Sequence, residues 1–451
     1  MTTKETLRLL RDFESRNVVF IEPDGSWPIV WERAKGVRVW DADGKKYLDL
    51  TAAFGVAATG HANPKVVRAG QMQLFRLPHA MGDVHPHALK AQLARELSRV
   101  TFGRWTESPG ARHQTPDPIR GKTIFSNSGF EAVESALKTA ILAAGKRGVI
   151  AFEGAYHGLG YGALNATHRD FFRGPFRTQL REFGHFVPFP KCDNCNCLET
   201  SSGIRICIQL RTLEKKIKKI LRQGRTGAIL VEPIQARGGI NIPPLGFMTM
   251  LRRLCDEHGA LLILDEIYTG FGRTGKWFAC EHSVVVPDLI CLGKALTGGF
   301  PLSACVGRAD IMDAAWPASR GEAIHTSTFL GNPVGCAMAL AQIREIERLN
   351  LCKRSAELGR FLLLQLQSQI VNRKSQIQAR GLGLMVGVEL RLPNGKPATQ
   401  AAMRVIKKML QRGFILLPEG EHANVISFTP PLTITKVQLQ QTVKTLAEVL
   451  K

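Results

Sequence analysis

The sequence predicts an α/β protein built on a mainly parallel sheet, and two observations carry that prediction. Between residues 121 and 304, short continuous apolar runs alternate with helix-like segments at intervals of roughly thirty residues, the spacing of strands joined by crossover helices. Two of these runs then end in residues foreign to a buried strand: residues 261–264 lead into Asp265, and residues 289–292 are followed by Gly293 and Lys294. Parallel sheets of this type present their ligands at the carboxyl ends of the strands.

Taken in order, residues 37–49 read as two strands joined by an Asp43-Gly44 turn. Residues 107–120, rich in Pro, Gly and polar side chains, read as an exposed loop. Strands are expected at 121–125, 148–152, 227–232, 261–265 and 289–292, with helices at 128–144 and 247–258. The remainder changes character. One long helical pattern runs from Gly335 to about Ile370 and leads into a strand-rich stretch at 379–390. A helix at 399–411, short strands at 415–417 and 425–428, and a last helix after Thr435 follow, which together read as a smaller α+β domain. The expected division is an N-terminal segment 1–60 belonging to the small domain, a large domain 61–335, and a C-terminal small domain 336–451.

At 451 residues, with 44% hydrophobic and 22% charged side chains, the chain is an ordinary globular sequence and not a disordered one. Sixty Lys and Arg against 38 Asp and Glu give a formal charge of +22, a balance that raises nucleic acid as a partner. The basic residues are scattered, however, and no nucleic-acid motif accompanies them. The densest run, residues 213–222, puts Leu213, Ile217, Ile220 and Leu221 on one helical face, so its lysines read as the solvated side. No stretch reaches the ~18 apolar residues of a membrane span, and the N-terminus has no apolar signal core; a cytoplasmic protein is expected, with neither nucleic acid nor membrane as partner. Of the ten cysteines, Cys207, Cys255, Cys280, Cys291, Cys305 and Cys336 stand in apolar or helical contexts and read as core residues. Cys192, Cys195 and Cys197 form a polar Cys-x-x-Cys-x-Cys cluster. Metal or redox chemistry is one reading, but no further ligand pair lies nearby, and a reduced loop insertion is the expectation.

Lys294 and Asp265, delivered to strand ends of one sheet, suit a cofactor that needs an amine to condense with its aldehyde and a carboxylate for its pyridinium nitrogen. That cofactor is pyridoxal phosphate. Ser126-Asn-Ser128-Gly129-Phe130-Glu131 opens a helix directly after a strand, with Ser128 and Glu131 as a capping box. The amides of Ser128, Gly129 and Phe130 are expected to point past the helix start, where a phosphate can sit. Tyr156, in Tyr156-His157-Gly158, and Ile267 are candidates for the two faces of a flat ring. Each motif also has a structural reading: a solvent-facing lysine, a plain helix cap, a core aromatic.

Asp265-Glu-Ile-Tyr-Thr-Gly-Phe-Gly-Arg-Thr-Gly275, Asp288 through Lys294, and Gly298-Gly-Phe-Pro301 resemble the class III pyridoxal-phosphate aminotransferases. The likeness extends to Trp40-Asp-Ala-Asp-Gly44, Gly60-His61, Glu232-Pro233, residues 328–333 and residues 424–433, nearly the whole chain. The resemblance implies a fold type I transferase, a large domain with a mainly parallel seven-stranded sheet plus a smaller α+β domain. It implies that Lys294 bonds the cofactor and shuttles the proton, and that Asp265 keeps the pyridine nitrogen protonated. Ser128, Gly129 and Phe130 would hold the phosphate, Tyr156 and Ile267 would cover the ring faces, His157 would contact the cofactor, the Tyr268 phenol would stand in for a glutamine at the cofactor hydroxyl, and Glu232 would support the site. Thr328 resembles a threonine that reaches the phosphate of the neighbouring subunit, which implies a homodimer. No metal is implied.

Four departures bear on substrate. The family's 4-aminobutyrate enzymes carry a carboxylate-binding arginine where this chain has Ser427, and a glutamate where it has Arg237. A second family arginine is Leu159 here, and a glutamine near the cofactor hydroxyl is Tyr268. The expectation is that Arg237 supplies the carboxylate clamp, with pairing to a local acid as its structural alternative. Phe54, Val56 and Leu159 would line a less acidic site. The function implied is transfer of an amino group from an amino acid, ω-amino acid or amine to a 2-oxo acid of the pyruvate or 2-oxoglutarate type. An amino-acid epimerase or aminomutase on the same scaffold is the alternative, and a binding protein on a retired enzyme fold is a third reading.

Overall fold

The computed structural model describes residues 1–106, 120–181, 183–191, 197–199, 205–370 and 376–451. The loop expected at 107–120 therefore lies outside the described residues except for Arg120, as do Cys192, Cys195 and the side chain of Cys197.

Its centre is a seven-stranded sheet in the order Gly121–Ser126, Ser303–Arg308, Leu289–Leu292, Leu261–Asp265, Thr226–Val231, Gly148–Phe152, Gly184–Val187. The last five run parallel; Ser303–Arg308 is antiparallel to both its neighbours. The five expected strands form nearly as bounded. Gly148–Phe152, Thr226–Val231 and Leu289–Leu292 are buried at every position, which is why they read as unbroken apolar runs. Gly184–Val187 and Ser303–Arg308 were not foreseen: the first is half exposed at the sheet edge, and the second carries Ser303, Gly307 and Arg308.

Helices Gly129–Ala144 and Phe247–His258 pack on this sheet. The single long helix expected from Gly335 is instead two, Pro333–Arg348 and Leu351–Gln369. Asn350 between them takes a left-handed φ of 48°, a conformation asparagine tolerates and a helix interior does not. The helix Ile208–Leu221 buries Leu213, Ile217 and Leu221, and its Lys218 pairs with Glu214 and Glu257. The six cysteines read as core residues are all buried and free.

A second, antiparallel sheet has the order Ile377–Leu382, Met385–Leu390, Val425–Phe428, Leu417–Glu419. A third joins the N-terminal strands Trp31–Lys35, Arg38–Asp41 and Lys46–Asp49 to Phe414–Ile415, which pairs in parallel with Lys46–Asp49. The first residues of the chain are thus tied by a β-ladder to its last quarter. Arg273, 2% exposed and without an ion-pair partner among the described residues, donates from one nitrogen to Leu384 O at 2.9 Å and Pro430 O at 2.6 Å, joining the loop after Asp265 to that region. Among the described residues no helix is long and apolar enough to cross a membrane, and no three His, Cys, Asp or Glu gather as metal ligands.

Gly359 tests how closely these layers meet. A Cβ there would stand 2.0 Å from Gly383 O in the turn between two strands, and backbone on both sides leaves no room to yield. Gly359→Ala is therefore expected to destabilise the protein by about 1–3 kcal/mol in chemical denaturation, overriding alanine's helix-propensity advantage of about 1 kcal/mol. A stabilised variant would show that propensity outweighs this contact.

Candidate active site

Four neighbouring strands end along one edge of the large sheet, and each carries a candidate residue past its last rung. Asp265 closes Leu261–Asp265, Lys294 follows Leu289–Leu292, Glu232 follows Thr226–Val231, and Tyr156 and His157 follow Gly148–Phe152. The register pairs Asp265 with Cys291, so lysine and aspartate rise from adjacent strands. Gly121–Ser126 runs in the same sense, because it is antiparallel to a strand that is itself antiparallel to Leu289–Leu292. It brings Ser128 to the same edge, where Ser303 Oγ donates to Ser128 O at 2.6 Å.

Asp265 is 5% exposed and doubly anchored. Oδ2 accepts from His157 Nδ1 at 2.8 Å and Oδ1 from Ile267 N at 3.1 Å. Because an ionised carboxylate only accepts, the His157 proton sits on Nδ1. His157 Nε2 is buried without a hydrogen-bond partner among the described residues. Its backbone is fixed by Thr167 Oγ1, 2.9 Å from His157 N.

Lys294 departs from ordinary lysine geometry in two ways. Its φ is 42°, a left-handed conformation that costs a non-glycine residue on the order of 1 kcal/mol and marks stored strain. Its ammonium makes no hydrogen bond or ion pair with a described residue; Nζ lies 3.9 Å from the centroid of the Tyr268 ring. Burial pulls its pKa from 10.5 down to about 8, against the opposing pull of Asp265, Glu232 and Glu419. Tyr268 meets the lysine with its face, while its hydroxyl is engaged by Thr429 Oγ1 at 3.2 Å, and that threonine donates in turn to Thr51 O. Gly55, with φ +81°, packs so tightly that a Cβ would come within 2.9 Å of the Tyr268 ring.

At the start of helix Gly129–Ala144 the capping box closes, and this corrects one expectation. The Ser128 amide is not free: it donates to Glu131 Oε2 at 2.7 Å, as does Ser128 Oγ at 3.0 Å. Gly129 and Phe130 keep first-turn N–H groups that no described residue accepts. Ile267 lies between this turn and the lysine strand, since Cβ atoms on Gly129 and Gly293 would meet it at 3.1 and 3.3 Å. Glu232 spends both oxygens on backbone, accepting from Tyr156 N and Ala236 N at 3.0 Å each; burial raises its pKa. It therefore fixes the loop that carries Tyr156.

The remaining candidates lie farther out. Arg237 stands 5.7 Å over the Tyr156 ring, and its ion partner is Glu419 of strand Leu417–Glu419, NH1 to Oε2 at 3.5 Å. The partner acid comes from a distant segment, and sequence reasoning missed it because one glutamate in a short strand carries no local signature. Ser427 is 2% exposed and donates to Leu417 O, leaving no cation at that position. Phe54 and Leu159 are exposed and Val56 is partly buried. Ala52, Ala53 and Phe54 all take positive φ. Thr328 is exposed on the turn at 328–331 and makes no hydrogen bond to the Gly129 turn of its own chain.

These groups fit pyridoxal phosphate. The unpaired amides of Gly129 and Phe130, the buried Asp265, the unpartnered amine of Lys294 and the orphan nitrogen of His157 converge on one sheet edge, and each supplies what a phosphate, a pyridine ring or an aldehyde requires.

Comparison with known proteins agrees. The family model for aminotransferase class-III matches residues 21–450. The 5-aminovalerate aminotransferase DavT of Pseudomonas aeruginosa is 37% identical over 426 residues, 93% of each chain. A Bacillus anthracis aminotransferase structure superposes with a TM-score of 0.85 at 27% identity, covering 100% of this chain and 99% of that one. The ornithine aminotransferase of Toxoplasma gondii, crystallised with partial occupancy of PLP at its active site, gives 0.81 at 26% identity over 100% and 94%.

A lysine pKa lowered to about 8 means that the neutral, nucleophilic amine dominates above that pH. The rate at which pyridoxal phosphate loads onto the apoprotein, followed by absorbance, should rise with pH and level off above about 8. A rise that continues toward the ordinary lysine value of about 10.4 would contradict this environment.

Proposed function

Because the chain belongs to the class-III aminotransferases, we propose that Lys294 and Asp265, delivered by adjacent parallel strands, form its catalytic pair. The protein is a pyridoxal-phosphate-dependent enzyme that moves an amino group from an amino acid, ω-amino acid or amine to a 2-oxo acid. The relatives compared above are aminotransferases, and the isomerase alternative is not favoured. When bound, pyridoxal phosphate supplies an aldehyde to take up the donor nitrogen and a pyridinium ring to accept the electron pair left by a departing proton.

The chain's own residues do the rest. Gly129 and Phe130 hold the phosphate through their amides at the helix start, with Ser128 shaping that turn through Glu131. Asp265, oriented by His157 Nδ1 and Ile267 N, would hold the proton on the ring nitrogen. Tyr156 and Ile267 would cover the ring faces, and Glu232 keeps the Tyr156 loop in place. Lys294, desolvated and unpaired, accepts the proton from the donor carbon and returns it, a task suited to an amine with a pKa of about 8. Its position on the Tyr268 face restricts where Nζ can swing.

For substrate, the reading is a carboxylate clamp at Arg237 in an otherwise apolar approach lined by Phe54, Val56 and Leu159. The absence of a cation at Ser427 and Leu159 favours a donor less acidic than glutamate, with pyruvate or a similar 2-oxo acid as acceptor. The name of the Pseudomonas relative, an aminotransferase for 5-aminovalerate, is consistent with a terminal amine as donor.

The working unit on this reading is a homodimer. Exposed Met81 and Val84 flank Gly82, where a Cβ would meet Leu330 O, and exposed Phe329, with His79 edge-on at 5.3 Å, adjoins Thr328. A second copy seated there would bring Thr328 toward its neighbour's phosphate site. The large unit 61–335 and the small unit composed of 1–60 and 336–451 are the expected bodies, supported by the pairing of Lys46–Asp49 with Phe414–Ile415.

The test is a donor and acceptor screen on the holoenzyme. A donor supplied alone should yield its oxo product stoichiometrically with enzyme; return of inverted substrate without oxo product would overturn the transaminase reading. Arg237→Ala should weaken 2-oxo-acid use by about 2–5 kcal/mol in kcat/KM. The lower end is expected, because the Arg237 side chain is 32% exposed. Unchanged kinetics would remove Arg237 from the site.

A further inference from the structure

We infer that Glu419 sets the charge class of the acceptor, selecting 2-oxo acids with one carboxylate against those with two. The inference rests on the reading of Arg237 as the carboxylate clamp and adds a residue that reading does not use.

Three ionic groups meet beyond the Tyr156 ring. Arg237 stands over that ring, and Arg169 donates a hydrogen bond to Arg237 O, so the second guanidinium is held beside the first. Gly420 N donates to the same carbonyl at 3.1 Å, which ties this loop to the strand carrying Glu419. Burial and the neighbouring Arg237 both press the pKa of Arg169 downward, as expected of two cations sharing a partly desolvated space. The carboxylate that meets Arg237 directly is Glu419, while Glu421 and Glu232 act on Arg169 from farther away. The Glu419 side chain is 2% exposed, its Oε2 makes no hydrogen bond, and at 3.5 Å it faces Arg237 NH1 as charge against charge. A buried carboxylate with an unsatisfied oxygen costs stability unless something repays it.

What it supplies is a negative charge beside the clamp. Glu419 is the carboxylate that directly faces Arg237, and its charge offsets part of the positive field that an incoming carboxylate meets. A dicarboxylate would bring a second negative charge toward Glu419, and like charges at such distances in a partly dry site repel strongly. A merely structural Glu419 would hold Arg237 in place and affect both acceptors alike, so the ratio between acceptors separates the two roles.

The experiment compares native holoenzyme with E419Q, which keeps the shape and removes the charge. With a common donor, kcat/KM is measured for pyruvate and 2-oxoglutarate, and dissociation constants for the unreactive propionate and glutarate. The ratio of 2-oxoglutarate to pyruvate should rise about tenfold or more, and glutarate should tighten relative to propionate. A ratio that moves less than about twofold, with both acceptors falling together, overturns the inference. Should E419Q fail to fold, the native enzyme decides by pH. Glu419 faces Arg237, Arg169, Lys294, Glu232 and Tyr268, and burial lifts its pKa to about 7. Lowering pH through about 7 should protonate it and shift the ratio toward 2-oxoglutarate; a flat ratio overturns the inference. Arg237→Ala keeps the two claims apart. If it spares both acceptors, the clamp reading fails; if it weakens both while E419Q leaves the ratio fixed, only the role of Glu419 fails.

Discussion

Everything in this site depends on the parallel pairing of Leu261–Asp265 with Leu289–Leu292. That ladder matches Asp265 with Cys291 and so lifts an acid and, three residues later, a base from the same edge of a rigid sheet. Both strands are packed on each face, and the side chains beneath the site are close to fully buried. The reacting groups therefore stand on a base that cannot shift independently under either one. The strain at Lys294, with its left-handed φ, is held by the strand before it and by the turn around it, where Leu296 N donates to Gly293 O.

Much of this was legible in the sequence because the physics is local. A strand buried on both faces must be apolar throughout, so its polar end residues stand out, and Asp265 and Lys294 did. The helix at 247–258 and the turn at Ser128 were equally visible, the first by its periodicity and the second by its capping pattern. What escaped depends on distant contacts. Ser303–Arg308 is a strand because it fills the gap between two others, not because Gly307 or Arg308 favours one. The break at Asn350 sits within residues that would continue a helix if nothing else constrained them. Glu419 could not be assigned to the site from its neighbours, since only the pairing of Leu417–Glu419 with Val425–Phe428 turns it toward Arg237. The Ser128 amide was assigned as free because the sequence shows a capping box without showing which donors it consumes.

The site separates two kinds of electrostatic work. Near the sheet, single groups are held by fully satisfied contacts: Asp265 by His157 and Ile267, Glu232 by two backbone amides. Their geometry cannot respond to substrate. Farther out, Arg237 and Glu419 meet as an ion pair without a hydrogen bond, with an incompletely bonded carboxylate and a guanidinium partly open to water. Such groups can exchange partners when an anion arrives. On the proposed reading, the chemistry belongs to the rigid groups at the sheet and recognition of the acceptor to the ion pair above them.

The most direct test is borohydride reduction of the holoenzyme followed by digestion and peptide mapping by mass spectrometry. The account predicts a pyridoxyl mass on the peptide containing Lys294 and on no other. A label on a different lysine, or none while the bound chromophore is present, would contradict it.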